Sequence, residues 1–379
     1  MKKLIGILTA IPFAALLAWA EPAVSAPLVP PAAQIAERNW QEDWDKTVAA
    51  AKKEGKLVFY SGAGPEVRTA LAQAFLRKFG IEIEYVTGKG AELTQKIFAE
   101  RRAGLYLSDL YNGGATTAVT QLKPSGVFAP LRPLLVLPEV LDGNAYFDGE
   151  IPFIDKENVY MICNGPSVTP HLAINSELVQ PGEIKSYADL LNPKWKGKTA
   201  FFDPTVSGTG AGFMLATLSL AMVPDFHRQF SKQEPVITRD RRLQVEWVVR
   251  GKYPIALAPL RESVSAFQKA GSPIKWVVPQ EGVFLIPSGS GSLSYFADAP
   301  HPNAAKVFIN WFMTREGMTV YSKASMTQTP RKDVPTDFLS PESIRGPGVK
   351  YFGGWKEHIL VKEKEAIKLA KEIYGPLVK

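Results

Sequence analysis

Three stretches rich in Gly, Ser and Thr are the residues best suited to hold an anion: Ser61-Gly62-Ala63-Gly64, Asn112-Gly113-Gly114-Ala115-Thr116-Thr117 and Ser207-Gly208-Thr209-Gly210. Each follows a short apolar run and precedes a stretch with helical spacing. Each therefore sets backbone N–H groups and hydroxyls at the start of a helix, where unsatisfied donors and roughly half a positive charge favour a negative ligand. One such loop is commonplace, because Gly and Ser cap helices everywhere. Three in one chain, all after strands, point to a shared ligand. The contacts expected from them are Ser61, Gly62, Ala63, Gly113, Gly114, Thr116, Ser207, Gly208 and Thr209. None of the loops closes in Gly-Lys-Ser/Thr as a P-loop does, and none opens a helix as GxGxxG with an acid about 20 positions on. The stretch Arg239-Asp240-Arg241-Arg242 is short and broken by its acid, so it is no nucleic-acid patch. It reads as a solvated helix start that lends one arginine, Arg239, to a ligand.

Bond-making chemistry is poorly provided for. His171, His227, His301 and His358 are far apart, no HExxH or GxSxG occurs, and the carboxylates form no evident acid–base pair. Cys163 is the only cysteine, which excludes an intramolecular disulfide framework and a CxxC-type zinc or redox site; its apolar setting reads as a buried thiol. No catalytic residue, metal ligand or cofactor is expected. With 44 Lys+Arg against 37 Asp+Glu in 379 residues the formal charge is a modest +7, and 46% apolar content supports a sizeable core.

Lys2 and Lys3 precede an apolar run over residues 4–19, and Ala18-Trp19-Ala20 offers small residues at the −3 and −1 positions of a cut. This is the pattern of a secretory signal peptide over residues 1–20, cleaved after Ala20. The run falls short of the ~20 apolar residues of a span, Pro12 interrupts it, and no later stretch is long and apolar enough to cross a bilayer. An exported, periplasmic product is expected.

The elements that would carry the loops can be read from periodicity. Residues 40–54 have helical spacing and end at Gly55; 56–60 form a short apolar strand; 66–79 are helical; 81–86 alternate as a strand; 92–102 are helical; and 105–111 read as a strand. The theme repeats with a strand at 199–202, a helix at 211–222, a helix at 243–250 and a strand at 254–258. Strand segments follow over 276–296, helices over 303–313 and 316–324, and a tail helix over 355–374. Strand, helix and strand in alternation imply an α/β fold with parallel strands.

Residues 44–61, 91–109, 192–203 and 299–317 resemble the extracellular solute-binding proteins of bacterial ABC importers, in the branch labelled ferric-iron-binding-like. The segments Pro-His-Pro-Asn-Ala-Ala-Lys-Val-Phe-Ile-Asn-Trp (300–311) and Asn-Pro-Lys-Trp-Lys-Gly-Lys (192–198) are the most diagnostic, and the likeness runs over about residues 40–335. It implies a type 2 periplasmic binding protein fold: two α/β lobes, each a mostly parallel sheet flanked by helices, joined by two crossing strands near residues 171–175 and 275–279. The first lobe would be discontinuous, 40–170 plus 277–340, the second 176–270, and 341–379 a C-terminal helical tail. The lobes would close on a ligand by hinge bending, with two of the three loops on the first lobe and one on the second. The function implied is that of a monomeric receptor that hands a small solute to a membrane permease, without enzyme activity and without nucleic acid. Ferric-iron capture with a synergistic anion, or ligand sensing, are the alternatives.

On iron the sequence departs from the branch. Ferric binders present adjacent tyrosines after the strand that here is residues 254–258, yet the chain continues Pro259-Leu260-Arg261; Tyr253 precedes the strand, and the first loop has no His. Arg261, standing in the tyrosine position, and Arg239 are candidate counter-charges for a carboxylate, phosphate or phosphonate, since a planar guanidinium binds an oxyanion through two bonds. Tyr60, Tyr111 and Trp247 read as core, with an apolar wall beside the ligand as the alternative.

Overall fold

The computed structural model describes residues 40–88, 90–168, 170–219, 226–287 and 291–378; the leader read at residues 1–20 lies outside them. Before the first crossing the chain lays down β1 (Lys56–Ser61), β2 (Glu82–Thr87), β3 (Leu110–Gly113), β4 (Phe128–Ala129) and β5 (Met161–Cys163). Strands β6 (Pro166–Val168) and β7 (Leu172–Asn175) carry it across, and β8 (Thr199–Phe202), β9 (Val236–Thr238), β10 (Ile255–Leu257) and β11 (Ile274–Trp276) follow. Strands β12 (Val283–Pro287) and β13 (Ser292–Phe296) bring it back, and β14 (Tyr351–Gly353) comes from the C-terminal segment.

These strands form two α/β layers and a small three-stranded sheet. One sheet runs β2-β1-β3-β13-β4 with β5 on β13; the second runs β11-β7-β10-β8-β9; the third is β14-β12-β6. In each large sheet a single strand opposes the rest: β13 is antiparallel to β3, β4 and β5, and β7 is antiparallel to β10 and β11. Both are the strands on which the chain enters a lobe after crossing. The crossings themselves are paired, β6 with β12 and β7 with β11, both antiparallel.

Period-2 alternation loads both faces of each sheet. Phe59 and Leu110 join Phe75, Phe308 and Trp311 on one face of the first sheet, while Tyr60, Tyr111 and Cys163 join Ile97, Phe296 and Trp355 on the other. In the second sheet Leu172, Phe201 and Leu257 pack on Phe213 and Tyr374, and Ala173 and Ala256 face Val245, Val248 and Val264. The most recognisable motif proves to be scaffold. Asn303 and Ala304 at the start of helix Pro302–Met313 donate backbone N–H groups to Glu54 at 3.2 and 2.7 Å. The buried Asn310 amide accepts from Val136 N at 2.8 Å and donates to the Leu134 carbonyl at 2.8 Å. His301 gives its N–H (2.7 Å) and lies with Nδ1 2.9 Å from the fully buried Asp109, which also accepts from Val58 N at 2.7 Å. Asp109→Ala strands two backbone donors in the core, so a loss of about 3 kcal/mol is expected, read as a lowered urea midpoint at unchanged slope.

Two expectations shift. The strand read over 105–111 begins only at Leu110, and Leu105, Tyr106 and Leu107 are 47, 44 and 46% exposed. The reason is register: Phe59 pairs with Leu110, so residues 105 and 106 would fall opposite the end of helix Trp40–Glu54 and Gly55, where there is no strand to pair with. The tail helix read over 355–374 is two helices, Glu357–Leu360 and Glu363–Tyr374. Leu360 is anchored in the first-lobe core with Trp355, whereas Ala366, Ala370 and Tyr374 are fully buried in the second-lobe core against Phe201 and Phe213.

Candidate functional site

Because the returning strands run against their neighbours, each begins where the parallel strands end. Ser292 of β13 pairs with Gly113 at the end of β3, and Leu172 of β7 pairs with Leu257 at the end of β10. The carboxyl edges of both sheets therefore lie beside the crossings. In open α/β sheets this edge is where ligands bind. The nine loop residues and both arginines predicted from the sequence all sit at or just beyond these edges: Ser61–Ala63 after β1, Gly113–Thr116 after β3, Ser207–Thr209 after β8, Arg239 after β9 and Arg261 after β10.

On the first lobe the hydroxyls and amides of the edge largely satisfy one another. Ser61 is buried, and its Oγ accepts from Ala63 N at 3.1 Å; Gly62, exposed, ties β1 to β3 by its own N–H to the Asn112 carbonyl at 2.9 Å. Gly113 must be glycine, since a Cβ there would lie 2.2 Å from the Tyr111 hydroxyl. Gly114 and Thr116 are half-buried at the turn that follows. Asn112, which opens the second loop but was not among its expected contacts, and two polar residues outside the loops, Asn164 and Ser292, complete this edge. Asn112 Nδ2 donates to Asn164 Oδ1 and to the Ser292 carbonyl, each at 3.1 Å, and Ser292 Oγ donates to the Gly113 carbonyl at 2.8 Å. Their signal in the sequence is a polar residue directly abutting an apolar run, as Asn164 does after Met161–Cys163.

On the second lobe the organising group is Asp203, fully buried at the end of β8. Its carboxylate accepts from Thr205 N and Oγ1, both at 2.7 Å, and from Arg239 Nε at 2.7 Å. Burial alone would raise its pKa, but the Thr205 and Arg239 donors hold it below the usual carboxylate value. Arg239 remains 64% exposed, and Nε is the only one of its donors bonded among the described residues. Asp240 beside it caps helix Arg241–Val249, accepting from Arg242 and Leu243 N–H at 3.0 and 2.9 Å. The remaining hydroxyls serve the fold: Ser207 Oγ bonds Glu363 at 2.8 Å and Thr209 Oγ1 bonds the Ala258 carbonyl at 2.6 Å. Gly208 has φ 152, and a Cβ on Gly210 would lie 2.2 Å from the Phe202 carbonyl oxygen, so the turn requires glycine. Arg261 starts helix Arg261–Lys269 and donates from Nη2 to Ser343 of the C-terminal segment.

Tyr253 packs its ring 5.3 Å from Trp247 at the amino end of β10, away from the carboxyl edge. Among the described residues no group of three or more His, Cys, Asp or Glu is placed to hold a metal ion. What the two edges offer is donors: the N–H groups of the helix starts at Ala115 and Thr209 and an anchored guanidinium.

Comparison with known proteins places this geometry. Residues 70–350 match the family model described as bacterial extracellular solute-binding protein. An uncharacterized protein of Haemophilus influenzae is 22% identical over 340 residues, covering 85% of this chain and 93% of its own. Among solved structures, Trichodesmium IdiA (FutA) in complex with iron and citrate is similar at TM-score 0.66 and 19% identity, over 84% of this chain and 99% of that one. The periplasmic binding protein AfuA of Actinobacillus pleuropneumoniae, with fructose-6-phosphate bound, is similar at TM-score 0.57 and 20% identity, over 84% and 98%. The shared architecture is the two-lobed periplasmic binding protein fold.

Proposed function

The chain belongs to the bacterial extracellular solute-binding proteins, and from that premise we propose that it is the monomeric receptor of an ABC importer, capturing a small anion such as a carboxylate, phosphate or phosphonate and delivering it to the membrane permease. The observation that carries the anion reading is the Asp203–Arg239 pair. A buried carboxylate holds Arg239 by Nε alone, at the strand edge, and leaves Nη1 and Nη2 to a ligand. That is an arrangement for a bidentate oxyanion contact, pre-oriented so that little rotamer entropy is lost on binding. The N–H groups of the helix starts after Gly114 and Gly208 and the half-buried Thr116 add neutral donors of the same sense. The likeness to a protein holding citrate with iron and to one holding a sugar phosphate agrees with an anion in the cleft. The leader pattern at residues 1–20 supports delivery to the periplasm.

The direct test is titration calorimetry of the full mature chain with orthophosphate, fructose-6-phosphate, citrate and ferric iron alone. One site with measurable heat for at least one anion is expected. Binding of ferric iron alone, with a visible phenolate-to-iron absorption band and no heat from any anion, would sink the reading.

A further inference from the structure

Arg239 is one of two arginines at the second-lobe edge, and the other, Arg261, is left with an unanswered charge. Strand β8 lies between β9 and β10. The segment that leaves it is bonded on both sides. Asp203 accepts from Arg239, beyond β9, at 2.7 Å, and Thr209 Oγ1 donates to the Ala258 carbonyl, beyond β10, at 2.6 Å. The two arginines therefore stand on opposite flanks of the turn over 203–209. Neighbouring strands are ~4.8 Å apart, so two strand steps separate β9 from β10 by roughly 10 Å. Strand β9 is the outer strand of this sheet, whereas β10 pairs with the crossing strand β7. Arg261 also bonds Ser343 in the turn Pro341–Ser343, which packs on the crossing strand β6. Arg261 thus marks the end of the edge beside the crossings, and Arg239 its outer end.

The two charges are held differently. Arg239 is exposed and already paired with a carboxylate through Nε. Arg261 is half-buried, and its one hydrogen bond among the described residues runs from Nη2 to the Ser343 hydroxyl, itself 1% exposed. A hydroxyl supplies an acceptor without a counter-charge. Glu262 and Glu342 act on the guanidinium only from a distance, and burial pushes its pKa below the ordinary arginine value. The fully buried Arg331, by contrast, meets Asp333 at 2.7 Å. Desolvating a cation without an anionic partner is costly. That cost falls at the carboxyl edge of the sheet, with Nε and Nη1 of Arg261 unbonded among the described residues.

We propose that the cleft takes a small organic dianion with an anionic group at each end, one end on Arg261 and the other on Arg239; this rests on the anion reading above and narrows it. Succinate, glutarate and adipate are the probes, with hexanoate as the singly charged control, titrated calorimetrically into the full mature chain at neutral pH. At least one dicarboxylate is expected to bind at a single site ~10-fold or more tightly than hexanoate, because the second guanidinium adds a charge-assisted pair of hydrogen bonds. Arg261→Gln removes most of that preference, and Arg261→Lys, which keeps the charge and loses the fork, retains part of it. Urea midpoints establish that both variants fold. Hexanoate binding as tightly as the dicarboxylates, or a preference undiminished in folded Arg261→Gln, would overturn the proposal. Binding of orthophosphate with none of the three dicarboxylates would also overturn it and leave the anion receptor standing, whereas no heat from any anion would overturn both.

Discussion

Arg239→Ala is expected to weaken binding of the anionic solute by roughly thirtyfold to a hundredfold, because a charge-assisted pair of hydrogen bonds is worth ~2–3 kcal/mol. The same change leaves the fold nearly untouched. The side chain is 64% exposed, so its ion pair contributes little to stability, and Asp203 keeps both Thr205 donors when the guanidinium is gone. Calorimetry with whichever of orthophosphate, fructose-6-phosphate or citrate binds the wild type, alongside a urea midpoint, reads the two effects separately. Arg239→Lys is the informative companion: the charge survives but the fork does not, so affinity falls between the two. An affinity unchanged in the alanine variant removes Arg239 from the site.

The second large effect is on stability in acid. His171 and His227 are buried, and burial pushes each imidazole down from 6.5 to about 4. In the folded chain both stay neutral: His227 lies between Thr217 Oγ1 at 2.5 Å and the Tyr374 hydroxyl at 2.9 Å. The unfolded chain takes up protons near pH 6.5 and the folded one only near pH 4, so their contribution is complete above 6.5 and lost as pH falls between these values. The loss amounts to about 3 kcal/mol per histidine, a large part of the 5–15 kcal/mol that holds a typical domain. Denaturant unfolding at stepped pH should show stability falling across that window. His227→Gln should roughly halve the slope, whatever it does to the absolute stability. A flat profile from pH 6.5 to 4 would exclude the mechanism.

The scaffold was legible because its signals are local. Residues 40–54 carry a helical stripe with a Gly55 stop, residues 56–60 an apolar strand, and both appear where the periodicity puts them. The loops were legible as places and less so as chemistry. Ser61, Ser207 and Thr209 are the kind of residue that answers nearby backbone and side-chain groups, and their hydroxyls do so here. What could not be read from spacing is the partnership of Asp203 with Arg239, which sits 36 positions away and is brought alongside only because β9 pairs with β8. The same holds for Asn112 with Asn164 and Ser292, joined through the antiparallel return of β13. The misplaced start of β3 has a similar origin: an apolar run such as 105–107 becomes strand only where a neighbour offers an unpaired edge.

The helix Glu363–Tyr374 closes the second-lobe core with Ala366, Ala370 and Tyr374, far along the chain from the strands it covers. During synthesis a ribosome therefore releases Leu172, Phe201, Phe213 and Leu257 long before the surface that buries them exists. Long-range closure of this sort slows folding and prolongs exposure of apolar surface. Completion of this core therefore waits on the C-terminal segment, which leaves its apolar strands uncovered while the intervening chain is made.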